Sequence, residues 1–189
     1  LPAFDTKPVT TPIYSTVAFE APSAAALDEV FEGTRPGYAY SRHGGNPTCE
    51  ALEETITRLE RGAAAIAFAS GMAALHAAVL AAGVRSGDRL VASQDIYGAT
   101  QALFRDVLAP LGIETRYAPA TDLDAFASAI AAARPRAVFI ETISNPLLRV
   151  ADVAAVAEIA RRAGALTIVD STFTSPRLMN PIELGADFV

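Results

Sequence analysis

From Asn46 to Val189 short apolar runs alternate with longer helical ones, and few chain topologies accommodate that rhythm. Strands are expected at Ala64–Phe68, Arg89–Ala92, Ile113–Ala118, Ala137–Glu141 and Leu166–Val169, with helices at Gly71–Ala82, Ala99–Leu108, Leu123–Ala133 and Val153–Ala163 between them. Strands that read apolar throughout, rather than alternating, suit a sheet covered on both faces. Helices between successive strands bring the chain back to start the next strand in the same direction. The expected fold is therefore α/β, a mainly parallel sheet with helices on both faces.

What precedes this pattern is different. LPAFDTKPVTTPIYSTVAFEAPS holds four prolines and no steady period, as an extended arm does. A short helix is expected over Ser23–Glu32, then a loop from Gly33 to Gly45. Asn46 is placed as an N-cap with Pro47 in the first helical position, Leu52, Ile56 and Leu59 fall on one face, and Gly62 stops the helix. The organisation expected is an arm and loop over residues 1–45 and one large domain over 46–189. A short helix at Pro181–Gly185 and a strand opening at Asp187 suggest that this domain continues past Val189.

Charge and composition narrow the function. A net charge of -6 offers no basic field to nucleic acid or an anionic membrane. With Cys49 as the single cysteine, and His43 and His76 the two histidines, neither an internal disulfide nor a zinc framework is expected. Cys49 reads as a small packing residue in a reducing compartment, and the expected location is cytoplasmic. Gly62–Val84 runs 23 residues without Asp, Glu, Lys or Arg, but it is mostly Ala and Gly with Ser70, Gly71 and His76 in its middle. It reads as buried strand, turn and helix rather than a membrane span. No charged leader followed by an apolar run opens the sequence, so no secretory signal is expected.

In open α/β sheets ligands bind beyond the carboxyl ends of the strands. At AIAFASGMAALHAAV, small residues opening a helix let backbone N–H groups approach a phosphate; Ser70 and Gly71 could equally be a tight turn and cap. At DIYGATQALF, Tyr97 is either a surface aromatic or a flat face for a planar ligand. At FIETISNPLLRV, Asn145 before Pro146 either starts a turn or donates to a ligand oxygen. At ALTIVDSTFTSPRL, Asp170 ends a dry run, where an ionised carboxylate is costly without a partner, and no basic residue lies nearer in sequence than Arg162 and Arg177. A ligand cation would answer that cost; capping of the following turn by Asp170 is the plainer alternative. The dinucleotide, P-loop, zinc-protease and hydrolase signatures are all missing, which counts against a nucleotide-binding protein.

Taken in order, YSRHGGNPT, ASGMAAL, DIYGAT, ETISNPLLRV and ALTIVDSTFTSP resemble the Cys/Met-metabolism family of pyridoxal-phosphate enzymes: cystathionine synthases and lyases, methionine γ-lyase and O-acylhomoserine sulfhydrylases. The resemblance runs over nearly the whole chain. It implies a fold-type I large domain and β- or γ-elimination or γ-replacement on a sulfur amino acid or an O-acylhomoserine. It also implies site roles. Gly71 and Met72 would hold the cofactor phosphate, Tyr97 would stack on the pyridine ring and assist the leaving group, and Asn145 would lie near the ring's phenolic oxygen. Asp170 would pair with the protonated ring nitrogen, Thr172 would lie close by, and Tyr40 and Arg42 would reach the phosphate of a neighbouring subunit in a dimer or tetramer.

Three departures from the family pattern stand out. YSRHGGNPT has one residue more than the usual spacing between Arg42 and Asn46, and Ala99 stands where methionine γ-lyases resemble one another in having cysteine. The third concerns the Schiff-base lysine, which in the family follows the aspartate by some two dozen residues. Lys7, in the arm, is the only lysine here and reads as a solvated charge. The lysine is expected in sequence beyond Val189 or on a second polypeptide; a scaffold or interaction module without chemistry is the remaining alternative.

Overall fold

The computed structural model describes residues 8–43 and 45–189, so Lys7 and Gly44 lie outside the described residues. Two compact units are present, one formed by residues up to 58 with 63–67, the other by 59–62 with 68–189.

In the first unit, helix α1 (Ala24–Phe31) is capped by Ser23, whose Oγ accepts from Ala26 N at 3.1 Å. Helix α2 (Pro47–Glu60) begins as its sequence suggests, with Asn46 Oδ1 accepting from Thr48 N at 2.8 Å while Asn46 Nδ2 donates to Tyr14 O at 2.9 Å. Its apolar stripe buries nothing: Leu52 and Ile56 are exposed. Cys49 is exposed too, against the expectation of a packing role; it falls one turn before Leu52 on the same exposed stripe, while Ala51, Glu53 and Thr57 on the other side are half-buried.

The second unit is built on four parallel strands, β1 (Arg89–Ser93), β2 (Glu114–Ala118), β3 (Ala137–Glu141) and β4 (Leu166–Asp170), in the order β2-β1-β3-β4. Helices α3 (Gly71–Ala81), α4 (Gly98–Ala102), α5 (Leu123–Ala133) and α6 (Val153–Arg162) lie among them. Because successive strand residues face opposite sides, the sheet feeds two cores. Val91, Val138, Ile140 and Val169 pack with Phe126 and Ile130 of α5 and Val156 of α6. Leu90, Phe139 and Ile168 pack with Val79 of α3, Phe104 and Leu108. Phe104 meets Phe139 edge to face, ring centroids 5.5 Å apart. Every residue of β3 is buried, as a central strand covered on both faces requires.

β2 differs from the expected apolar strand. At the sheet edge it leaves Glu114, Arg116 and Tyr117 exposed, and Glu114 takes ion pairs from Arg89 and Arg116. Charged edges discourage unwanted pairing. Residues 64–68, expected as a strand, pair with no strand among the described residues. Ile66 is 74% exposed, and Ala67 N donates to the Glu53 carboxylate at 2.8 Å instead of to a neighbouring strand. A β-run is a strand only where another offers it backbone partners.

The helix expected over Ala99–Leu108 is α4 followed by a wider π-helical turn, Leu103–Leu108, and a 3-10 turn, Ala109–Leu111. Pro110 lacks an N–H and its ring crowds the preceding turn, which cannot stay regular. Gly112 then takes φ 82°, and a Cβ there would lie 2.5 Å from Ser86 Oγ. Residues 181–185 are turns rather than a helix, and Phe188 bridges to Ile168 in parallel, consistent with a strand opening. Among the described residues no helix is long and apolar enough to cross a membrane.

Candidate functional site

The chain passes from β1 to β2 on one side and then crosses back to β3 on the other, so the connections leaving β1 and β3 diverge. Between such strands a crevice opens beyond their carboxyl ends. A cavity of about 380 Å³ lies there, within the roughly 300–1,000 Å³ of small-molecule sites. Gly71, Met72, Tyr97, Asn145, Asp170 and Thr172, separated by up to 101 positions in sequence, all line it.

Each arrives by a local rule. Ser70 is extended and caps α3, its Oγ accepting from Ala73 N at 3.2 Å and its carbonyl from Ala74 N at 3.1 Å. Gly71 and Met72 therefore keep N–H groups with no intrahelical partner, at the end of the helix that carries about half a positive charge. Tyr97 precedes α4 and makes no side-chain cap, which leaves its half-exposed ring to the cavity. Asp170 ends β4. Its Oδ1 accepts from Thr172 N at 2.9 Å and from Thr172 Oγ1 at 2.5 Å, whereas Oδ2 has no hydrogen-bond partner among the described residues. One oxygen thus caps the turn, and the other takes no partner among the described residues.

Glu141 was visible in the sequence only as the end of an apolar run. It is buried, lines the cavity, and accepts from two loops at once, Tyr97 N on Oε1 at 2.6 Å and Asn145 N on Oε2 at 3.1 Å. Burial pushes its carboxyl above the ordinary value; the two N–H groups partly oppose this, and the nearby charge of Asp170 adds to it. The cost argument applied to Asp170 applies equally to an acid closing the run AVFI, and would have found it.

Tyr40 and Arg42 belong to the first unit. Backbone pairing of Phe19 with Ala39 at 3.0 Å and of Ser41 with Val17 at 2.8 Å ties their loop to the arm. The Arg42 guanidinium lies 4.8 Å from the Tyr40 ring centroid and donates to its hydroxyl. They are not among the residues that line the cavity.

The family model for Cys/Met metabolism PLP-dependent enzymes matches residues 2–189. The chain belongs to that family. It is 42% identical over 183 residues to a cystathionine gamma-lyase of Bacillus subtilis (strain 168), covering 96% of this chain and 45% of that protein. With an O-succinylhomoserine sulfhydrylase of Pseudomonas aeruginosa it shares 40% identity over 94% of this chain and 43% of the relative. The crystal structure of a cystathionine gamma synthase from Xanthomonas oryzae pv. oryzae in complex with cystathionine superposes with a TM-score of 0.83 at 37% identity, over 95% of this chain and 43% of the other. A solved chain from Campylobacter jejuni subsp. jejuni that contains N'-pyridoxyl-lysine-5'-monophosphate gives 0.84 at 34% identity, covering 95% and 44%. The chain thus spans less than half the length of these relatives, and over that span the fold-type I architecture is shared.

Proposed function

We propose that the cavity is a pyridoxal-phosphate site and that the protein carries out β- or γ-elimination or γ-replacement on a sulfur amino acid or an O-acylhomoserine. The observation that carries this is the convergence of Gly71, Met72, Tyr97, Asn145, Asp170 and Thr172 on one cavity at the switch point of the sheet. The donor set fits the cofactor. Two helix-end N–H groups suit a phosphate, a flat ring suits a pyridine face, and an unpartnered carboxylate oxygen suits a ring N–H.

When bound, the cofactor supplies an electron sink for the charge left when the substrate loses its α-proton. The chain's own residues do the rest. Gly71 and Met72 would hold the phosphate through their N–H groups, and Tyr97 would offer its ring to the pyridine. Thr172 fixes Oδ1 of Asp170, which leaves Oδ2 as the group that would pair with a protonated ring nitrogen. Asn145 donates toward the ring oxygen, and the Tyr97 hydroxyl gives a proton to the departing group. We place the amine that would join the cofactor in sequence beyond this chain or on a second polypeptide, since among the described residues the cavity lining holds no lysine. Tyr40 and Arg42 reach the phosphate of a neighbouring subunit in a dimer or tetramer, and the exposed Cys49 suits the reducing cytoplasm.

The test is titration with pyridoxamine phosphate, which has no aldehyde and reports the site without reacting with amines. An induced circular-dichroism band in the wild-type chain, lost or much weakened in Asp170→Ala at unchanged fold, supports the reading. A band of the same strength and midpoint in both proteins overturns the role of Asp170.

A further inference from the structure

Two loops frame the mouth of the cavity, one following β1 and carrying Tyr97, the other following β3 and carrying Asn145. Each side chain has to stand at the right height over one small ligand, yet strand pairing does not reach either of them. β1 and β3 are matched in register only from Leu90–Ala137 to Ala92–Phe139. Beyond that, a single buried group spans the gap. Glu141 Oε1 accepts from Tyr97 N at 2.6 Å and Oε2 from Asn145 N at 3.1 Å, so one rigid carboxylate plane fixes the spacing of two backbones.

A second tie between the same loops is weaker in kind. Arg149 Nη1 meets Asp95 Oδ2 at 2.7 Å, but the arginine side chain is 48% exposed, and exposed ion pairs contribute little. Away from the 380 Å³ cavity, Glu141 has little room to turn. The cavity it lines on its other side measures only about 10 Å³, the size of one water molecule.

We infer that Glu141 is a positioning residue, a clamp that sets the separation of Tyr97 and Asn145 across the mouth of the cavity. This rests on the pyridoxal-phosphate reading for its purpose, although the clamp itself is a property of the unliganded chain. It acts through backbone N–H groups and touches no reacting atom in the role assigned here.

Amide hydrogen exchange followed by NMR tests it directly, in wild type, Glu141→Ala and Glu141→Gln, each then titrated with pyridoxamine phosphate. Expected is at least tenfold faster exchange of the Tyr97 and Asn145 amides in Glu141→Ala, with the β1 and β3 amides unchanged. In Glu141→Gln only one of the two should speed up, since an amide side chain offers one acceptor oxygen. The induced circular-dichroism band should weaken in the same order. Unaltered exchange at Tyr97 and Asn145 overturns the clamp, as does faster exchange across the whole sheet in both variants, which marks a purely structural residue. If the two amides respond as expected while wild type gives no band, the clamp stands and the cofactor reading alone fails.

Discussion

Glu141 and Asp170 are register partners at the ends of adjacent parallel strands, so two carboxylates lie side by side at the carboxyl edge of the sheet. Neighbouring strands sit about 4.8 Å apart, and like charges at that separation repel unless something positive lies between or above them. Glu141 is satisfied by two N–H groups, whereas Asp170 keeps one oxygen free. The two acids are therefore held differently: both oxygens of Glu141 accept from backbone, whereas Oδ2 of Asp170 takes no partner among the described residues.

Removing the Asp170 carboxylate should cost the cofactor a charge-assisted hydrogen bond, typically about 1.5–3 kcal/mol. Asp170→Asn is expected to bind pyridoxamine phosphate roughly ten- to a hundredfold more weakly, by the conversion of about 1.4 kcal/mol per tenfold. Fluorescence titration measures it, and unchanged affinity would remove Asp170 from the site.

The ring and the hydroxyl of Tyr97 should separate experimentally. Tyr97→Phe keeps the stacking face and is expected to leave pyridoxamine phosphate affinity within about twofold, whereas Tyr97→Ala should weaken it by roughly 2- to 10-fold, the worth of an aromatic pair. In the lysine-bearing enzyme proposed above, Tyr97→Phe should lower kcat more than it changes KM. An equal loss in Phe and Ala variants at the binding stage would contradict the division.

Glu141 also predicts a pH dependence. Its folded carboxyl is raised above the ordinary 4.5 first by burial, with Asp170 on β4 adding to the effect. Asp95 and Arg149, the other charged groups lining its rear cavity, pair with each other. A raised acid favours the fold most below its unfolded pKa, and that contribution is lost as pH rises through the folded value. Relative to Glu141→Gln, which does not titrate, wild type should therefore lose stability as pH rises above the ordinary carboxylate value of 4.5. Urea unfolding midpoints of both proteins across that range check the sign; a difference that stays flat or moves the other way refutes it.

The core has its own test. Phe139 is fully buried on the central strand and packs edge to face with Phe104. Phe139→Ala should lower unfolding free energy by about 3–5 kcal/mol, through lost transfer energy and the cavity left behind. A loss under about 1 kcal/mol in denaturant unfolding would mean that the site collapses freely.

At the edge, Gly112→Ala is expected to destabilise by about 1 kcal/mol or more, because φ 82° disfavours a side chain and the new Cβ would strike Ser86 Oγ. Pairing it with Ser86→Gly, which removes the clash and leaves the φ penalty, separates the two causes by thermal melting.

Sequence alone determined the alternation of strand and helix, because apolar periodicity and capping are local. Asn46, Ser70, Asp122 and Asp152 cap helices for reasons readable within four residues. It also marked Asp170 as an acid in need of a partner, and motif order carried the family resemblance. The tertiary structure decided the rest. Whether 64–68 became a strand depended on a neighbour that local sequence does not specify, and α2's apolar stripe stayed exposed for the same kind of reason. The order β2-β1-β3-β4 is a product of long-range pairing, and it alone put β1 beside β3 and β3 beside β4. Only that order brings Glu141 within reach of Tyr97, 44 positions earlier, and alongside Asp170. A hydrogen bond between groups 44 positions apart, unlike a helix cap, depends on distance in space, and no side-chain pattern in the chain announces it.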